Sequence, residues 1–152
     1  MGFAVLNFKL VRVKEQSMEP TLKENDLLLT KTNCSYHSLH RNDIIIFNSP
    51  VEKNLKLVKR IIGLEGDSIQ IYSNGVLVVN KKENSEQKLE LENEWIEFEW
   101  NLEPNQIIIL SDNREKRHDS RIFGPIEFNA VISKVVFSVK PFKRLKKNNY
   151  LN

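Results

Sequence analysis

Apolar and polar residues alternate with a period of two along most of the chain, and the 3.6-residue recurrence of an amphipathic helix is scarce. This pattern predicts a mainly β protein. Short apolar runs at 26–30, 43–47, 57–62, 68–72, 76–79, 95–100, 106–110 and 131–139 have strand length and are separated by polar, Gly, Pro or Asn punctuation. Asn74 and Gly75 supply the positive φ values of a tight primed turn, so the runs on either side of them are expected to form a hairpin. Within the third run, alternation puts Leu55, Leu57, Lys59 and Ile61 on one face and Lys56, Val58, Arg60 and Ile62 on the other. Lys59 is thus the polar member of an apolar row. In the run 95–100, Ile96, Phe98 and Trp100 share a face. Nothing repeats at a fixed period.

With 152 residues and 40% hydrophobic content the chain can bury one core, and a single domain over 1–152 is expected. The net charge of +3 is set against 20 acidic residues, so no global basic field argues for a nucleic-acid partner. One cysteine, Cys34, excludes an internal disulfide. Histidines at 37, 40 and 118 lack zinc-ligand spacing, so neither a metal nor another cofactor is expected. No window reaches the roughly 18 consecutive apolar residues of a membrane helix, and the apolar letters of MGFAVLNF end within eight residues. As given, the chain is not expected to span a membrane.

Charge is informative locally. Eight glutamates and one lysine lie between Glu83 and Glu103. An acidic excursion over 81–105 is expected to be a solvated loop leading into an amphipathic strand, with a role in specificity as the functional rival. The tail 143–152 carries four cations between Lys143 and Lys147. It reads as a solvated end, or as a contact for an anionic lipid surface.

Candidate chemistry begins with Lys59. Burial disfavours an ammonium and lowers its pKa toward the range of a general base, and a neutral lysine can take the proton of a serine hydroxyl. Ser17 opens the run SMEPTL. Taken singly, Lys59 is a lysine that snorkels along its own stem, and Ser17, just before Glu19-Pro20, is a turn residue or helix cap. A third segment, SDNREKRHDSRIFG at 111–124, changes the balance. Its Asp112, Arg114, Asp119, Ser120 and Arg121 are costly beside a core unless they pair, and they can form a buried ionic net that includes Arg60.

Together these segments resemble the type I signal peptidases, membrane-bound serine proteases of the Ser-Lys class, in the smaller Gram-positive form. The resemblance runs from about Phe8 to Phe142 through the V-x-x-x-SMEPTL segment, VKRIIGLEGD, the hairpin strand at 74–80 and the DNR...DSRxFG box, including Asn113, in the family order. It implies an antiparallel β catalytic core with a small acidic insertion. It implies Ser17 as nucleophile, with its backbone N–H as one oxyanion donor, and Lys59 as general base for both acylation and deacylation. Val13, Met18, Leu22 and Val58 match positions that line shallow apolar pockets for the small residues of an A-x-A site. Asp119 is expected to pair with Arg121 and Arg60, and Gly124 to permit a tight chain path. The partners implied are the signal peptides of exported preproteins and the membrane lipid surface. The location implied is the extracytoplasmic face of the bacterial cell membrane, with the family's anchor absent from this chain.

Three positions depart from the family pattern. Glu15 stands where relatives usually have glycine or a serine that assists the oxyanion, and a carboxylate there repels developing negative charge unless it turns away. Arg117 stands where a serine commonly holds the lysine, and Ser111 replaces a glycine. A cation near Lys59 would lower its pKa further, while loss of the hydroxyl would loosen its position. Two other functional classes share features with the chain. One is a catalytically weak relative that binds exported surface proteins and helps their assembly. The other is a self-cleaving repressor, which needs a DNA-binding segment and an Ala-Gly or Cys-Gly cleavage site that this sequence lacks.

Overall fold

The computed structural model describes residues 7–73, 75, 77–81 and 95–145. Within them, ten strands form two antiparallel sheets. The larger runs in the spatial order β1 (Phe8–Arg12), β2 (Leu27–Thr32), β10 (Val131–Lys140), β3 (Ile44–Asn48), β4 (Lys56–Gly63), β8 (Gln106–Leu110) and β9 (Ile126–Glu127). The smaller runs β6 (Leu77–Lys81), β5 (Asp67–Tyr72) and β7 (Ile96–Asn101). The expectation of a mainly β, antiparallel fold is met, and each of the eight anticipated runs becomes a strand with its ends within two residues. Two strands were not anticipated. β1 is mostly exposed and carries no inward row, and β9 has only two residues.

Burial explains the sequence pattern. Residues 44–47 of β3 and 107–110 of β8 are buried at every position, so both faces of these strands are covered and alternation gives way to apolar runs. On one face, Leu57 and Ile61 of β4 pack with Ile45, Phe47, Ile107 and Ile109. On another, Ile44, Ile46 and Val58 meet Val13, Met18, Leu22, Leu28 and Val135. Ile62, Ile108 and Leu110 join the two sheets by packing on Ile69, Ile71 and Leu102. At the β4–β8 bulge, a Cβ on Gly63 would lie 2.4 Å from Ile69 Cδ1, so glycine lets the small sheet close on the large one.

Phe98 and Trp100 stack with centroids 5.5 Å apart and cover this junction, whereas Ile96 is 39% exposed. The shared face anticipated for these three residues is thus broken at Ile96, where the β5–β7 register shifts. The β5–β6 hairpin forms as expected and Gly75 has φ +82°. Asn74 lies outside the described residues, as do residues 82–94 of the acidic excursion and 146–152 of the basic tail. The part of the tail that is described is tied down: Lys143 bridges backbone to Ser138 and its Nζ lies 2.9 Å from Asp26 Oδ2. Among the described residues no helix is long and apolar enough to cross a membrane.

Candidate active site

β4 lies between β3 and β8 in the middle of the large sheet, and two loops converge on it. The first, 13–26, is stapled at its base by Val13 N–H to Asp26 O and Asn25 N–H to Val13 O, both 2.9 Å. It turns tightly at Ser17, where Glu19 N–H donates to Gln16 O and Leu22 N–H to Met18 O. The second loop leaves β8 at Ser111 and enters the one-turn helix α1 (Ser120–Phe123), which Gly124 ends with φ +74°. Asn113 joins the loops: its N–H donates to Ser17 O at 3.0 Å and its side-chain amide to Gln16 O at 3.4 Å.

Lys59 Nζ lies 2.7 Å from Ser17 Oγ, with the lysine 0% and the serine 7% exposed. A charged amine donates to the hydroxyl, and a neutral one accepts from it. Burial lowers the Lys59 pKa from its ordinary value of 10.5, and the negative charges of Glu15 and Asp119 raise it part of the way back. Lys59 is therefore a lysine biased toward the neutral amine and aimed at one hydroxyl.

The ionic net forms, but its pairing differs from expectation. Arg60 does not meet Asp119. Its guanidinium takes Asp112 with two prongs, Nε to Oδ1 at 2.8 Å and Nη2 to Oδ2 at 2.7 Å, and donates through Nη1 to Asn42 O. Arg60 and Lys59 are consecutive on β4 and point to opposite faces, so the arginine is turned toward the Asp112 side. Thr21, which the sequence did not single out, donates to Asp112 and so ties the Ser17 loop to the same carboxylate. Asp119 instead takes Arg121, through Nε at 2.9 Å and Nη2 at 2.8 Å, and accepts from Ser111 N–H at 2.9 Å. Burial pushes the Asp119 carboxyl up, but hydrogen bonds from Arg121 and Ser111 and the Arg121 charge outweigh it and hold the group below its ordinary value. Arg121 Nη1 also donates to Arg114 O, and the Ser120 hydroxyl accepts from Ile109 N–H. Asp112, Asn113, Arg114, Asp119, Ser120 and Arg121 thus belong to one frame fastened to β4 and β8.

Two clefts meet at Ser17. One, of about 510 Å³, is largely apolar and is lined by Val13, Met18 and Val58 together with Val11, Ile46 and Ile132. Leu22, expected to line it, packs behind Val13 and Met18 in the core at 0% exposure. Ile46 and Ile132 could not be picked out from the sequence, because strand pairing such as Ile46 opposite Val58 is what brings them to the cleft. The other cleft, of about 490 Å³, is lined by charged residues including Glu15, Glu115, Lys116 and Arg117. Arg117 is half-exposed and its Nη1 lies 2.9 Å from Glu97 Oε1. The charges acting on Lys59 are those of Glu15 and Asp119.

The sequence pattern of the family described as "Signal peptidase, peptidase S26" matches residues 1–140. The chain is 36% identical over 147 residues to signal peptidase I of Bacillus caldolyticus, covering 87% of this chain and 79% of that one. It is 30% identical over 155 residues to signal peptidase IB of Staphylococcus aureus strain COL, covering 90% and 80%. A crystal structure of a signal peptidase I from Enterococcus faecalis V583 aligns with TM-score 0.46 and 25% identity over 61% of this chain and 92% of that one. The chain belongs to the signal peptidase family, peptidase S26, and is a serine endopeptidase of the type I signal peptidase kind.

Proposed function

We propose that the chain removes signal peptides from exported preproteins with Ser17 as nucleophile and Lys59 as general base. The observation that carries this reading is the 2.7 Å approach of Lys59 Nζ to Ser17 Oγ in a buried setting that lowers the lysine pKa. The neutral amine takes the hydroxyl proton as Oγ attacks the scissile carbonyl, and the Ser17 N–H donates to the oxyanion. The ammonium then gives its proton to the departing amide nitrogen. In the second half, the amine takes a proton from water, and the resulting hydroxide equivalent hydrolyses the Ser17 ester and restores the hydroxyl.

The apolar cleft is proposed to hold the small residues before the cut, with Val13, Met18 and Val58 as walls. Leu22 supports that wall from behind. The charged cleft on the other side of Ser17 is proposed to receive the segment after the cut. Arg60, Asp112, Asn113, Asp119 and Arg121 are positioning residues that fix β4 against the serine loop. Exposed Phe8, Leu10 and Phe142, with Lys9 and Lys140 nearby in sequence, support work against an anionic lipid surface on the extracytoplasmic side of the membrane.

The test is incubation with a peptide bearing an A-x-A site, in detergent or lipid, followed by mass analysis. A single cut after the second small residue is expected. An intact peptide that nevertheless binds would instead make the chain a binding relative that assists assembly.

A further inference from the structure

Two buried polar groups beside the scissile site are short of partners. The Ser111 hydroxyl is buried, the residue being 1% exposed, and its Oγ has no hydrogen-bond partner among the described residues. Lys59 Nζ, an amine with three bonding directions, has one described hydrogen bond, to Ser17 Oγ. Buried hydroxyls are rarely left unpaired, since an unmade bond leaves the cost of removing the group from water uncompensated.

Register places these two groups together. In the β4–β8 pair, Arg60 faces Leu110 and Ile61 faces Ile109. Ser111 directly follows the last residue of β8, and the same register extended by one residue would set it opposite Lys59. Residues directly opposite in an antiparallel pair project to the same side with Cβ atoms about 4.5–5.5 Å apart. The packing agrees, because Ile109 lies two residues before Ser111, Ile61 two after Lys59, and both sit in the same core cluster. The Ser111 backbone is fixed as well, with its N–H held by Asp119 Oδ2 at 2.9 Å.

We propose that the Ser111 hydroxyl is a positioning residue for the Lys59 amine, engaged when Ser17 is acylated. The inference rests on the reading of Ser17 and Lys59 as the catalytic pair. In the free enzyme the amine is held by the Ser17 hydroxyl. Acylation turns that Oγ into an ester oxygen, which has no proton to donate and is a poorer acceptor. The amine then needs another group to hold it while it takes a proton from the hydrolytic water, and Ser111 Oγ offers both an acceptor and a donor from the same side of the sheet.

Ser111→Ala removes the hydroxyl and no described hydrogen bond. A hydroxyl without a role would, on removal, leave the rate unchanged and Tm unchanged or higher. The proposal predicts that Tm does not fall, that kcat for peptide cleavage drops about tenfold with KM falling in step and kcat/KM little changed, because deacylation alone is slowed, and that a burst of the first product precedes a slow steady state as the acyl-enzyme accumulates. Ser138→Ala on β10, which removes the second buried hydroxyl without a partner among the described residues, serves as control and leaves the rate unchanged. Ser111→Cys, close in size and a poor acceptor, repeats the test should the alanine variant fail to fold. A kcat within twofold of the parent, with Ser17→Ala inactive in the same assay, overturns the inference and leaves the dyad standing. Cleavage that survives Ser17→Ala overturns the dyad and this inference with it.

Discussion

Arg60 grips Asp112 with two parallel hydrogen bonds, 2.8 and 2.7 Å long, and the two side chains are 1% and 2% exposed. The pair stands one residue from Lys59 on β4 and one residue from Asn113, whose N–H holds the Ser17 carbonyl. A planar fork on a carboxylate fixes orientation as well as distance. The lysine strand and the serine loop are therefore referenced to one rigid joint.

Arg60→Met should destabilise the fold by about 3–5 kcal/mol, because it leaves the Asp112 carboxylate buried and unpaired. Denaturant titration measures this. A loss below about 1 kcal/mol would mean that the joint is dispensable. Asp112→Leu added to Arg60→Met should recover part of the loss, since the uncompensated charge is then gone.

Asp119 sets an acid limit. Its folded pKa is below the ordinary 3.8, so its contribution is fully present above that value and is lost as pH falls through the folded pKa. Asp119→Asn should lower stability at neutral pH and flatten the acid end of the Tm-against-pH curve relative to the parent. Parallel curves would show that another carboxylate governs acid unfolding.

As the proposed general base, Lys59 should make activity rise with pH. Its folded pKa is below the ordinary 10.5, so the neutral base is populated as pH climbs through the folded value, before a free lysine would titrate. The same depression means that stability rises with pH between the folded and the ordinary pKa, where the unfolded chain binds more protons. Kcat/KM should show a rising limb below pH 10.5, matched by the titration of Lys59 followed by NMR. Removing the nearby negative charge with Glu15→Gln should move that limb to lower pH. A limb that moves up instead would contradict the sign assigned to Glu15.

Arg117 is half-exposed and paired with Glu97, so Arg117→Ser should leave the rising limb nearly in place. The stability change should stay within about 1 kcal/mol. A limb displaced to higher pH would show that the guanidinium acts on the lysine after all.

Much of this architecture was legible because period two marks strands and because burying a lysine inside an apolar row is costly enough to need a reason. The row Leu57, Lys59, Ile61 sits as alternation placed it, with Leu57 and Ile61 in one cluster. What could not be read was partner choice. Two aspartates and two arginines allow two pairings, and only the direction in which Arg60 leaves β4 selects Asp112 over Asp119. Leu22 illustrates a second limit, since an apolar residue in a loop can line a cleft or back it. β1 escaped notice because its outward residues carry no burial signal.

The most direct test of the proposed catalytic pair is the rate at which Ser17→Ala and Lys59→Ala cleave an A-x-A peptide beside the folded parent. Members of one nucleophile–base unit fail together, so each variant, and the double variant, should lose essentially all cleavage to the same floor while keeping the parent's circular dichroism. Cleavage persisting at the parental site in either single variant would contradict the account.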